Sequence, residues 1–162
     1  MEKRKLGRDG PNVSLICLGT MTFGEQNTET EGHAQMDCAV DAGVNFLDTA
    51  ELYAIPPKPE TQGSTEQIIG SWFKARKNRD KIILATKVMG RSGMTWFRDD
   101  RSPTRLNKTQ MSEALEKSLK RLGTDYVDLY QIHFPERPML WGSTPTVWKD
   151  ASFKPLADES SI

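Results

Sequence analysis

Asp48-Thr49-Ala50-Glu51-Leu52-Tyr53 is the stretch that decides the reading of this chain. It follows Val44-Asn45-Phe46-Leu47, a short apolar run after the turn residue Gly43, which reads as a buried strand. Loops at the carboxyl ends of parallel strands are where α/β folds carry their chemistry. An Asp closing such a strand, with a Tyr in the loop that follows, therefore marks a candidate site. Two later runs repeat the pattern. Ile82-Ile83-Leu84-Ala85-Thr86 ends in Lys87, and Tyr126-Val127-Asp128-Leu129-Tyr130-Gln131-Ile132 ends in His133. Three successive strands thus bring Asp48, Lys87 and His133 to one rim, and the first also supplies Tyr53.

The 162 residues are ample for one domain with a core. Charge is balanced at 22 basic and 22 acidic residues, so neither a nucleic acid nor an anionic membrane is expected as a partner. Cys17 and Cys38 lack CxxC spacing and read as buried, reduced thiols rather than a disulfide. No metal ligand set is expected. No apolar run approaches the roughly 20 residues that cross a bilayer, and the charged start Met1-Glu2-Lys3-Arg4 has no apolar segment behind it. A cytoplasmic protein is the expectation.

Working outward, residues 3–16 read as a hairpin or extended lead-in around the turn Arg8-Asp9-Gly10-Pro11. Val13 to Leu18 reads as the first buried strand, ending in Gly19-Thr20-Met21. Thr28 to Ala42 reads as a helix with Met36, Ala39 and Val40 on one face and His33 as a satisfied histidine. Three prolines, Pro56, Pro57 and Pro59, stiffen the loop after Tyr53. That loop either shapes substrate access or is a solvated connector. Ser64-Thr65-Glu66-Gln67 fits a capping box, and the helix behind it buries Ile68, Ile69, Trp72 and Phe73. Val88 to Arg105 reads as a long polar segment on the same rim as Asp48, with Trp96 and Phe97 as pocket candidates. Asn107 caps a third helix, whose stripe is Met111, Leu115, Leu119 and Leu122 and whose end is Gly123. Lys117, Lys120 and Arg121 lie off that stripe, where the helix dipole favours positive charge.

The D-T-A-x-x-Y spacing, the lysine closing the next strand and the D-L-Y-Q-I-H run together resemble the aldo-keto reductases. Gly24-Glu25-Gln26-Asn27 and the long proline loop resemble the Tas-type bacterial branch of that family. The resemblance implies an α/β fold, the first half of a (β/α)8 TIM barrel. About four parallel strands, three helices and an amino-terminal hairpin are expected over residues 1–134. Residues 135–162 are expected to form an irregular substrate-loop region, with Trp141 and Trp148 as possible substrate contacts. The resemblance also implies a catalytic tetrad of Asp48, Tyr53, Lys87 and His133, with Gly19, Thr20, Met21 and Asp48 bordering the nicotinamide and ribose of NADPH. An unperturbed tyrosine is a poor acid near neutrality, with a pKa of about 10, and a nearby ammonium favours the phenolate. In the family scheme Lys87 plays that part beside Tyr53, Asp48 holds the lysine, and neutral His133 orients a carbonyl oxygen.

A complete barrel of this kind takes about 250 residues, so this chain is expected to hold the amino-terminal half. The parent activity implied is NADPH-dependent reduction of aldehydes and ketones, and the 162 residues alone are expected to be inactive. Exposed strand edges invite self-association or a complementing half-barrel. The alternative, from a different class, is a non-catalytic aldo-keto-reductase-fold module that serves as a binding or regulatory subunit of an ion channel.

Overall fold

The computed structural model describes residues 1–136. Lys3–Lys5 (β1) and Asn12–Ser14 (β2) pair antiparallel, with Arg4 opposite Val13. Four parallel strands follow: Leu18–Gly19 (β3), Phe46–Asp48 (β4), Ile83–Val88 (β5) and Leu129–Ile132 (β6). They lie side by side in chain order, β3-β4-β5-β6. The helices Glu29–Asp41 (α1), Ser64–Arg76 (α2) and Lys108–Leu122 (α3) make the three crossovers. Sequential parallel strands joined this way form the arc of the first half of a β/α barrel, as expected.

The helices cover one face of this arc. Leu47 and Leu84 point into that layer and are fully buried with Phe23, Met36, Ile69, Trp72 and Leu122. Side chains alternate along a strand, so the neighbours of Leu47 and Leu84 turn the other way, toward the concave side. Phe46, Asp48 and Ile83 are only half-buried there. Trp72 is a core residue whose indole N–H donates to Asp37 Oδ1 at 2.8 Å. His33 is satisfied, with Nε2 2.9 Å from Ser71 Oγ.

Several local expectations are corrected. Val13 to Leu18 is not one buried strand. The chain leaves the hairpin after Ser14, exposes Leu15 and Ile16, and enters the barrel sheet only at Leu18. An apolar run cannot distinguish one strand from two strands of different sheets joined by a bend. Cys17 and Cys38 are free and exposed, not buried. Cys38 lies on the outer side of α1, away from Met36. Cys17 precedes β3 on the side of the sheet that also carries Asp48.

The capping box belongs to α1 rather than α2. Thr28 Oγ1 accepts from Glu31 N–H, and the Glu31 carboxylate accepts from Thr28 N–H at 2.8 Å. At α2 the cap is Gly63 at φ +79°, where a Cβ would meet Arg121 Cδ at 2.4 Å. Ser64 and Thr65 instead donate their hydroxyls to Phe23 O. Helix α3 buries Ala114, Ser118 and Leu122, leaving Met111, Leu115 and Leu119 half-exposed. Ala114 packs against Val88 of β5 and Leu106, and nearer the end of α3 the helices α2 and α3 approach closely. A Cβ on Gly70 would lie 2.5 Å from Arg121 O.

Arg121 lies in the last turn of α3, as expected, and is also a pairing residue. Its Nε donates at 2.7 Å to Glu66, which is fully buried and also accepts from Thr86 Oγ1 at 2.6 Å. Glu66 therefore ties α2, α3 and β5 together. Removing one partner of a buried pair strands the other, at about 3 kcal/mol or more. Glu66→Ala is expected to lower the free energy of unfolding, read from urea denaturation, by that much, whereas Glu31→Ala, on the exposed start of α1, is expected to lower it far less.

Candidate active site

The parallel register sets the site. Asp48 pairs with Ala85 on β5, and Lys87, one alternation further along, pairs with Gln131 on β6. Beyond β4 the backbone keeps pairing with β5, through Thr49 N–H to Ala85 O at 2.9 Å and Glu51 N–H to Lys87 O at 3.2 Å. It then turns, with Tyr53 N–H donating to Ala50 O at 3.1 Å. This turn carries the Tyr53 ring back over the end of β5.

Lys87 Nζ is the hub. It donates to Asp48 Oδ2 at 2.6 Å, to Thr49 O at 2.7 Å and to Tyr53 OH at 3.2 Å. An ammonium has three protons, and here each has an acceptor. The second carboxylate oxygen, Asp48 Oδ1, accepts from Gln131 Nε2 at 2.9 Å. Gln131 was not among the expected site residues. The signal for it is strand alternation, which puts Gln131 on the same face as His133 and opposite Lys87.

His133 N–H donates to Val88 O at 3.0 Å. Its ring meets Tyr53 edge to face, with centroids 5.5 Å apart. Ring atom Nδ1 is buried and has no hydrogen-bond partner. Burial, and then the Lys87 charge, push the His133 imidazole down to about 4, against a smaller opposing effect of Asp48. The four residues Asp48, Tyr53, Lys87 and His133 are thus together on one rim, and His133 is neutral at pH 7.

The residues expected beside a cofactor lie along the adjoining edge. Thr20 is fully buried, and both its N–H and its hydroxyl donate to Asp48 O, at 3.1 and 2.9 Å. Gly19 pairs with Asp48, and a Cβ there would meet nothing within 4 Å. Met21 is exposed, and its carbonyl accepts from Ile55 N–H at 3.1 Å. Although Cys17 is exposed as a residue, desolvation of its thiol by the surrounding chain, and next the Asp48 charge, raise the thiol to about 11 against a smaller opposing effect of Lys87. No group of three or more potential metal ligands occurs among the described residues.

The loops around Tyr53 are tied down. Gly63 N–H donates to Tyr53 O at 2.7 Å, Gln62 Nε2 donates to Glu51 O at 2.6 Å, and Lys58 pairs with Glu25. The polar segment after Lys87 folds back on itself, with Ser92 and Thr104 bridged antiparallel. Phe97 is buried in one cluster with Tyr53 and Met89, and Trp96 packs against that cluster. Glu136 is buried and accepts from Leu106 N–H at 2.8 Å. Trp141 and Trp148 lie outside the described residues.

Comparison with known proteins shows the family. A family model described as the aldo/keto reductase family matches residues 15–143. "Protein tas" of Escherichia coli K12 is 45% identical over 155 residues, covering 94% of this chain and 44% of that protein. "Uncharacterized oxidoreductase YrpG" of Bacillus subtilis is 41% identical over 143 residues, covering 87% of this chain and 42% of its own length. Among solved structures, "aldo-keto reductase AKR11C1 from Bacillus halodurans (holo form)" superposes with a TM-score of 0.64 at 39% identity, covering 82% of this chain and 40% of that one. This chain belongs to the aldo/keto reductase family, and the similarity to Protein tas fits the expected branch. It spans less than half the length of these relatives. No described helix is long and apolar enough to cross a membrane.

The His133 environment makes a pH prediction. Its folded pKa of about 4 lies below the ordinary 6.5, so the unfolded chain binds the extra proton first. The resulting stability is fully present above pH 6.5 and is lost as pH falls toward 4. Ring carbon shifts are expected to show His133 titrating near pH 4, and His133→Phe is expected to flatten the pH dependence of unfolding within that window.

Proposed function

We propose that Asp48, Tyr53, Lys87 and His133 form the active site of an NADPH-dependent oxidoreductase that reduces aldehydes or ketones to alcohols. The observation that carries this reading is the Lys87 ammonium, hydrogen-bonded at once to Asp48 and to the Tyr53 hydroxyl. Carbonyl reduction needs a proton for the oxygen that gains negative charge. Tyr53 OH is the donor in this proposal. Lys87 stabilises the phenolate left behind, and Asp48, itself held by Gln131, fixes the lysine. Neutral His133 orients the carbonyl oxygen beside Tyr53.

NADPH, when bound, supplies the hydride. The rim has features that fit it. The open face over Gly19 admits a flat ring, Asp48 keeps unused acceptor positions for a ribose hydroxyl, and Met21 is exposed beside both. Thr20 holds this edge to β4 through its bonds to Asp48 O. Gly19, Thr20, Met21 and Asp48 are therefore the proposed cofactor border within this chain. The rest of the cofactor's contacts are assigned to the half of the barrel that this chain does not span in its relatives. In the proposal that half completes the concave face, either in the same polypeptide or as a complementing half-barrel. The 162 residues alone are then expected to show no steady-state turnover.

In the assembled barrel, Tyr53→Phe is expected to slow aldehyde-dependent NADPH oxidation by about 100-fold or more, the usual range for loss of a general acid, with NADPH affinity nearly unchanged. The test is steady-state kinetics alongside tryptophan quenching by NADPH. Cofactor binding without turnover toward any aldehyde or ketone would favour the non-catalytic binding module instead.

A further inference from the structure

Two charged side chains outside the tetrad are buried against it. Arg98 and Glu51 have side-chain exposures of 0% and 2%. Arg98 grips the Glu51 carboxylate with both terminal nitrogens, Nη1 to Oε2 at 2.9 Å and Nη2 to Oε1 at 3.1 Å. Glu51 Oε1 also accepts from Met89 N–H at 2.6 Å, while Glu51 N–H donates to Lys87 O. Glu51 is thus fastened to residues on both sides of Val88, just where β5 delivers Lys87. It is also two residues before Tyr53, inside the turn closed by Tyr53 N–H to Ala50 O.

Arg98 is itself held from the helix layer. Gln110 Oε1 on α3 accepts from its Nε at 3.2 Å, and Phe97 O accepts both from Arg98 Nη1 and from Lys117 Nζ. Phe97 packs in the same cluster as Tyr53. A chain of contacts therefore runs from α3 through Arg98 and Glu51 to the turn bearing Tyr53.

We propose that Glu51 and Arg98 are positioning residues that hold the Tyr53 turn down on β5 and so set the Lys87–Tyr53 hydrogen bond. Neither touches substrate. Their importance to catalysis rests on the reductase reading, but the geometric coupling does not. A desolvated ion pair is a poor way simply to fill space, since well-packed apolar residues of similar size do so with equal or greater stability. What the pair provides that a hydrophobic filler does not is direction. The planar guanidinium fixes the carboxylate plane, which fixes the Met89 N–H contact.

The test reads the Lys87 ammonium directly, by lysine side-chain proton–nitrogen NMR of the 162-residue chain, with the resonance assigned from its loss in Lys87→Met. Glu51→Leu combined with Arg98→Met removes both charges and keeps the volume. The expected result is a folded protein whose Lys87 ammonium protons exchange with water about tenfold faster, as for the loosening of one charge-assisted hydrogen bond. An unchanged Lys87 signal in that folded double variant would overturn the proposal. If the double variant does not fold, Arg98→Lys serves. It keeps the positive charge but not the fork, and it is expected to speed exchange by about threefold, part of what one weakened bond allows. Unchanged exchange there would also overturn the proposal. The readout is a hydrogen bond and not turnover. A failure of the whole protein to reduce carbonyls would therefore count against the proposed function alone.

Discussion

The site depends on one group, the Lys87 ammonium. Each of its protons goes to a different kind of acceptor on the β4 end: the Asp48 carboxylate, the Thr49 carbonyl and the Tyr53 hydroxyl. A lysine has a long, flexible stem and a compact point charge. Left in solvent it would sample many rotamers. Held at three points it becomes a fixed charge beside the Tyr53 hydroxyl. The surrounding architecture makes that arrangement possible. The parallel register brings β4 and β5 together with Asp48 one alternation behind Lys87, and the turn after β4 then folds Tyr53 back over the lysine.

Support for this hub comes in layers. Gln131 holds the far oxygen of Asp48, and Thr20 clamps the Asp48 carbonyl from the other side. Glu51 and Arg98 fix the turn, and α3 fixes Arg98. Deeper in the protein, Glu66 joins α2, α3 and β5 through Thr86 and Arg121. Buried charges of this kind are not needed for bulk stability. Here they fall at joints between elements, where a wrong register would leave them unpaired.

Much of this was legible in the sequence. Short apolar runs closed by Asp48, Lys87 and His133, separated by helical patterns, predict a parallel β/α arrangement with those residues on one rim, and the structure has it. Met36, Trp72 and Leu122 lie in the core, as their periodicity implies. What remained hidden was of two kinds. Some signals were locally ambiguous. The run from Val13 to Leu18 looks like one strand but serves two sheets, and Ser64-Thr65-Glu66-Gln67 looks like a cap, although Glu66 is needed in the core. Other features pair residues far apart in the chain. Arg98 sits in a segment that reads only as long and polar, and Glu51 is one acidic residue within a motif. Nothing in the one-dimensional pattern says that the two meet in a dry interior. Helix α3 is a similar case. Its stripe of Met111, Leu115, Leu119 and Leu122 predicts one buried face, but the face it buries carries Ala114, Ser118 and Leu122, with Ala114 packed on Val88 of β5.

The central claim is that Lys87 is a fully engaged ammonium joining Asp48 to Tyr53. Neutron diffraction from deuterium-exchanged crystals tests it most directly, because it locates the hydrogens on Nζ. The account predicts three deuterons, directed to Asp48 Oδ2, Thr49 O and Tyr53 OH. A Lys87 amine turned away from Tyr53, or one whose third deuteron points to solvent, would contradict it.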